Sequence, residues 1–70
     1  MTLPMMTMTA HADEDGEICR WDAYVGGADF RILRNDRGDW ETTIETRPSD
    51  VLDVSGDLSG SLEYIGSLFK

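Results

Sequence analysis

Residues 17–34, EICRWDAYVGGADFRILR, decide the fold. Cys19, Trp21, Ala23 and Val25 alternate with Arg20, Asp22 and Tyr24. A period of two is that of a strand with one apolar face. Gly26-Gly27 follows, and two adjacent residues that tolerate positive φ form a two-residue hairpin turn. Ala28, Phe30 and Ile32 then alternate with Asp29, Arg31 and Leu33. Pairing Val25 with Ala28 sets Trp21 against Ile32, Ala23 against Phe30 and, on the reverse face, Asp22 against Arg31. A slip of one residue would put every apolar side chain on the wrong face.

The hairpin extends in both directions. Trp40, Thr42 and Ile44 alternate with Glu41, Thr43 and Glu45, which predicts a third strand over about residues 39–46. Asn35-Asp36-Arg37-Gly38 joins it to the second. An even loop mixes the faces, so a three-residue loop with Gly38 as a left-handed bulge residue is expected. In that register Ile32 faces Trp40 and Arg31 faces Glu41. The result is an apolar row, Trp21–Ile32–Trp40, and a charged row behind it, Asp22–Arg31–Glu41. Upstream, Met6, Met8, Ala10 and Ala12 alternate with Thr7, Thr9 and His11. This suggests a further strand over about 6–11, with Asp13-Glu14-Asp15-Gly16 as turn and Met8 near Trp21. Residues 1–5 are expected to fray.

Arg47-Pro48 ends the sheet, since proline lacks a backbone donor. Val51, Leu52 and Val54 read as one short turn. Leu58, Leu62, Ile65 and Phe69 share the face of a helix over about 58–69, with Asp57 or Ser59 as N-cap. Gly60 and Gly66 each cost it about 1 kcal/mol relative to alanine, so it needs tertiary packing. The expected fold is α+β: a three- or four-stranded antiparallel meander with one C-terminal helix on its apolar face, in a single domain spanning 1–70.

A chain of 70 residues is marginal for a single core, because so short a chain buries only about 60% of its unfolded surface. The lone Cys19 permits no internal disulfide, and one Cys with one His cannot complete a structural zinc site. An efficient core, self-association or a partner must supply the rest. No stretch approaches the ~20 apolar residues of a membrane span. Met1–Met8 lacks the basic flank of a signal peptide. With the lone cysteine, this suggests a cytoplasmic setting.

Charge is the feature that bears on function. The net charge is −8, and five of the six basic residues fall between Arg20 and Arg47. By segment the charge is −4 for residues 1–19, −1 for 20–47 and −3 for 48–70. Unpaired carboxylates present a one-signed field that draws basic partners and repels nucleic acid. The acids to which this applies are Asp13, Glu14, Asp15 and Glu17 in the first segment, and Asp50, Asp53 and Asp57 in the second.

Each alternative chemistry meets an obstacle. Neither acidic segment has the spacing or the closing bidentate Glu of a calcium-binding EF-hand loop. Turn formation and helix capping account for their Asp and Ser residues. No metal ligand set and no cofactor are assigned. Cys19 reads as a buried core residue, with Arg34 at most beside it, where a reactive thiol needs exposure and a cationic or His neighbour. His11 is a strand-end histidine on the other face, with no nucleophile placed for it. Asp22 and Glu41 resemble a glycosidase carboxylate pair, but Arg31 between them would hold both ionised. No enzymatic activity is expected. Arg20, Arg31 and Tyr24 share a face with Asp22, Asp29, Glu41 and Glu45, a poor basis for direct nucleic-acid binding.

In size, compactness, lack of catalytic residues and clustered acids (Asp13-Glu14-Asp15 and Asp50, Asp53, Asp57), the chain resembles the small acidic anti-CRISPR proteins of phages. The resemblance is one of character, without a shared motif. It implies stoichiometric inhibition, as a DNA mimic, by binding the basic surface of a CRISPR effector or another nucleic-acid-binding complex in the host cytoplasm. The alternative is a small accessory subunit or homo-oligomer whose acidity serves solubility.

Overall fold

A computed structural model describes residues 5–69. Five strands and one helix follow in chain order: β1 (Met6–Ala12), β2 (Ile18–Val25), β3 (Ala28–Arg34), β4 (Trp40–Ile44), β5 (Asp53–Ser55) and α1 (Leu58–Ser67). The strands form one antiparallel sheet in the order β1-β2-β3-β4-β5. The α+β class and the C-terminal helix are as expected, but the strand count is five rather than three or four. The additional strand, β5, lies where the sequence suggested a turn. It has only three residues, too few for a periodic signal. The expected fraying of residues 1–5 falls mainly outside the described residues; Met5 is 88% exposed.

The central hairpin has the register expected of it, from Val25 opposite Ala28 to Trp21 opposite Ile32. Both turn glycines have positive φ, 57° at Gly26 and 81° at Gly27. Gly26 is required for a second reason. The Phe69 ring lies where a Cβ at this position would project. Phe69 in turn meets Phe30 edge-on, with centroids 6.2 Å apart. The turn therefore doubles as a seat for the end of the chain.

The β3–β4 register keeps the expected faces but moves by two. Ile32 faces Thr42, Phe30 faces Ile44 and Arg34 faces Trp40. The three-residue loop with a left-handed Gly38 is present (φ 85°), but it comprises residues 36–38 and closes on Asn35 and Asp39. Asn35 N–H donates to the Asp39 carbonyl at 2.8 Å, and Gly38 N–H donates to the Asn35 carbonyl at 3.0 Å. The bulge glycine must be the last loop residue, which places the closure one position later on each strand. The Trp21–Ile32–Trp40 row accordingly becomes Trp21–Ile32–Thr42. A similar displacement holds for β1, where Met8 faces Ala23 and Ala10 faces Trp21.

Ala23, Val25, Phe30, Ile32 and Ile65 form the buried core. Met6, Met8, Trp21, Trp40, Leu58, Leu62 and Phe69 pack around it, each partly buried. The helix lies on β4 and β5. Asp57 caps it, its carboxylate accepting from Gly60 N–H at 2.8 Å. Gly60 permits close approach, since a Cβ there would run into the Ser55 hydroxyl. The helix ends at Ser67, two residues earlier than expected.

Candidate functional surface

An up-and-down antiparallel sheet sends alternate connections to opposite ends. The β1–β2 turn, the β3–β4 loop and the approach to α1 at Asp57 all fall at one end. Asp13, Glu14, Asp15, Glu17, Asp36, Asp39 and Asp57 gather there, seven carboxylates against Arg34 and Arg37, a net of −5. With strands about 4.8 Å apart, the 13–17 turn lies about 10 Å from the 35–39 loop and about 17 Å from Asp57. The two loops are thus just over one Debye length apart at physiological salt and couple weakly, while Asp57 is largely screened from the 13–17 turn.

The seven acids singled out from sequence do not all share this end. Asp13, Glu14, Asp15, Glu17 and Asp57 do. Asp50 lies in the β4–β5 connection at the far end, and Asp53 opens β5 in mid-sheet, opposite Thr42 at the middle of β4. Asp36 and Asp39 take their place. The sequence hid those two because Arg34 and Arg37 beside them made the segment appear neutral.

Several of these carboxylates have internal work. Asp13 Oδ1 accepts from the backbone N–H of Asp15 at 2.9 Å and of Glu17 at 3.0 Å. Glu17 pairs with Arg34 at 3.1 Å, tying the first turn to the end of β3. Asp57 is the helix cap. Glu14 and Asp15 are fully on the outside of their turn and carry its free charge.

The back face differs from the expected charged row. Asp22 does stand opposite Arg31 in the backbone register. Its carboxylate, however, is held by Arg20 from its own strand, Nε to Oδ1 at 3.1 Å and Nη2 to Oδ2 at 3.1 Å. His11 Nε2 reaches the same Oδ2 at 2.9 Å from β1. Glu41 faces Leu33 and accepts from the Asn35 amide at 2.9 Å. Among the described residues Arg31 therefore has no ion pair within 4 Å. It lines a shallow cleft of about 180 Å³ with Asp22, Asp29, Phe30 and Glu45.

Cys19 is half-buried rather than buried. A β-bulge is the cause: the register shifts between His11 and Ala12, leaving Cys19 the extra residue. Its thiol lies 3.6 Å from the His11 carbonyl, and the His11 ring projects to the other face. Among the described residues, no three His, Cys, Asp or Glu side chains converge to hold a metal ion, and no helix is long and apolar enough to cross a membrane. Comparison with known protein families, curated proteins and solved structures finds no match.

Proposed function

We propose that this chain is a stoichiometric, non-catalytic inhibitor that sets its acidic end against a basic nucleic-acid-binding surface of a partner protein. The observation that supports this reading is the one-ended charge. Seven carboxylates gather at one end of the five-stranded sheet, six of them in two loops about 10 Å apart, and the surface there is loop rather than pocket. Carboxylates so arranged compete with phosphates for Lys and Arg, and they favour fast, salt-sensitive encounter. A partner that grips nucleic acid through its backbone has the matching surface. A CRISPR effector in the cytoplasm of a phage-infected cell is the member of that class to which the resemblance in size and charge points.

Within the acidic end, Glu14 and Asp15 are the leading contacts, because their carboxylates are not committed to the fold. Asp36 belongs with them. Asp13, Glu17 and Asp57 contribute field while serving the loop, the Arg34 pair and the helix cap. Asp50, at the other end, is not part of this contact, and Asp53, in mid-sheet opposite Thr42, lies behind it.

The test is an untargeted pull-down from host lysate, followed by binding of the captured partner at several salt concentrations. The expected result is a nucleic-acid-binding protein whose affinity falls with salt. The Glu14→Lys, Asp15→Lys variant should weaken it by about ten-fold or more, as loss of close interfacial charge pairs does. Unchanged affinity and salt slope in that variant would remove the acidic end as the contact.

A further inference from the structure

We infer that β1 is a self-association edge, on which a second copy of this chain adds its own β1 antiparallel, with Met8 opposite Met8 of the other copy. The inference begins with which way the backbone groups point. The two-residue turn at Gly26-Gly27 closes on Val25 and Ala28, so that pair exchanges hydrogen bonds. Alternation then directs Val25, Ala23 and Trp21 toward β3, and Tyr24, Asp22 and Arg20 toward β1. The same alternation requires Asp29 to bond across to β4, and Glu45 N–H does donate to the Asp29 carbonyl at 2.9 Å. Thr7, Thr9 and His11, the partners of Tyr24, Asp22 and Arg20, thus spend their backbone groups on β2. Met6, Met8 and Ala10 turn theirs outward.

This edge lacks the usual protection. Natural edge strands are short, charged, proline-bearing or covered. The edge at β5 is three residues long and has α1 against it. By contrast β1 has seven residues, MTMTAHA, with no Lys, Arg, Asp, Glu or Pro. Among the described residues, no strand lies beyond it. Its inner face, Met6 and Met8 half-buried and Ala10 exposed, continues the apolar surface that the helix leaves uncovered.

Charge and shape favour a second copy over a foreign strand. With Met8 on a two-fold axis, Met6 of each copy meets Ala10 of the other, and every outward N–H and C=O of the three residues finds a partner. Large then faces small on the apolar side, and Thr7 faces Thr9 on the other, a favourable cross-strand pair. Acidic turns would repel in a parallel arrangement. In the antiparallel one they lie at opposite ends, about 30 Å or more apart, well beyond the Debye length of about 8 Å. The segment Met6–Ala10 offers a foreign charged strand nothing to recognise.

The test is sedimentation equilibrium of the full chain from micromolar to millimolar concentration, with amide hydrogen exchange alongside. A monomer–dimer equilibrium is expected, with the Met6, Met8 and Ala10 amides gaining protection as concentration rises. Ala10→Pro deletes an N–H that β2 does not use, and should weaken association by about ten-fold or more with the circular dichroism unchanged. In a Cys19→Ser background, Met8→Cys should cross-link the dimer on mild oxidation, whereas Thr7→Cys should not. A chain that stays monomeric throughout overturns the inference. So does a dimer that Met8→Cys fails to cross-link, a result that stands even if Ala10→Pro does not fold. Protection of the three amides only when another protein is added would assign the edge to a foreign strand and overturn it equally.

Discussion

The loops Asp13-Glu14-Asp15-Gly16-Glu17 and Asn35-Asp36-Arg37-Gly38-Asp39 have the same backbone and different chemistry. In each, the first residue closes on the fifth, with N–H to carbonyl distances of 2.8 Å. The fourth is a glycine at φ 86° or 85°. The first side-chain oxygen accepts from the N–H groups of the third and fifth residues, at 2.9 and 3.0 Å in one loop and 3.0 and 3.0 Å in the other. One short-chain oxygen and one glycine are thus enough to set the frame, which leaves the second and third positions free to carry charge. The loops part at the first residue. Asn35 has an amide to spare, and donates it to the half-buried Glu41. Asp13, with no amide, makes no such bond among the described residues, and its side chain only accepts, from Asp15 and Glu17.

The largest effect should come from exchanging that difference. Asn35→Asp keeps the accepting oxygen but turns a carboxylate on Glu41, and should cost about 2 kcal/mol in urea unfolding. Asp13→Asn should change stability by less than about 0.5 kcal/mol. Equal costs would mean that the Asn35–Glu41 bond contributes nothing. Next in size are Gly16→Ala and Gly38→Ala. Neither meets a neighbour within 4 Å, so each should lose about 1 kcal/mol, for backbone strain alone. A marked inequality would show that the two frames are not equivalent. Smallest is the effect of charge at the free positions. Glu14→Lys with Asp15→Lys should leave the unfolding free energy within about 0.5 kcal/mol of the parent while altering partner binding. A large loss of stability would show that these residues belong to the frame after all.

How much could be read in advance depended on how tightly each link constrains its neighbours. Gly26-Gly27 fixes a two-residue turn, and the β2–β3 register follows residue for residue. At Gly38 the loop type and the faces were legible, but its position along the strands was not, because a shift by two preserves every alternation. The bulge at Cys19 left no mark that alternation can detect. The pairing of Asp22 with Arg20 and His11 rather than Arg31 arose because neighbours on one face compete for a carboxylate, and the register does not rank them.

The sequence by itself determined the α+β class, the central hairpin, the C-terminal helix with its cap narrowed to Asp57 or Ser59, and the acidity of both chain ends. Those are local properties, set by period, turn chemistry and composition. Only the tertiary structure decided where the charge collects. It joined Asp36 and Asp39 to the 13–17 turn and Asp57, and it carried Asp50 to the far end and left Asp53 in mid-sheet. The physical reason is that an antiparallel meander sorts its connections alternately to two ends, so residues about twenty positions apart, such as Asp15 and Asp36, become neighbours while Asp50 and Asp57, on either side of β5, are separated.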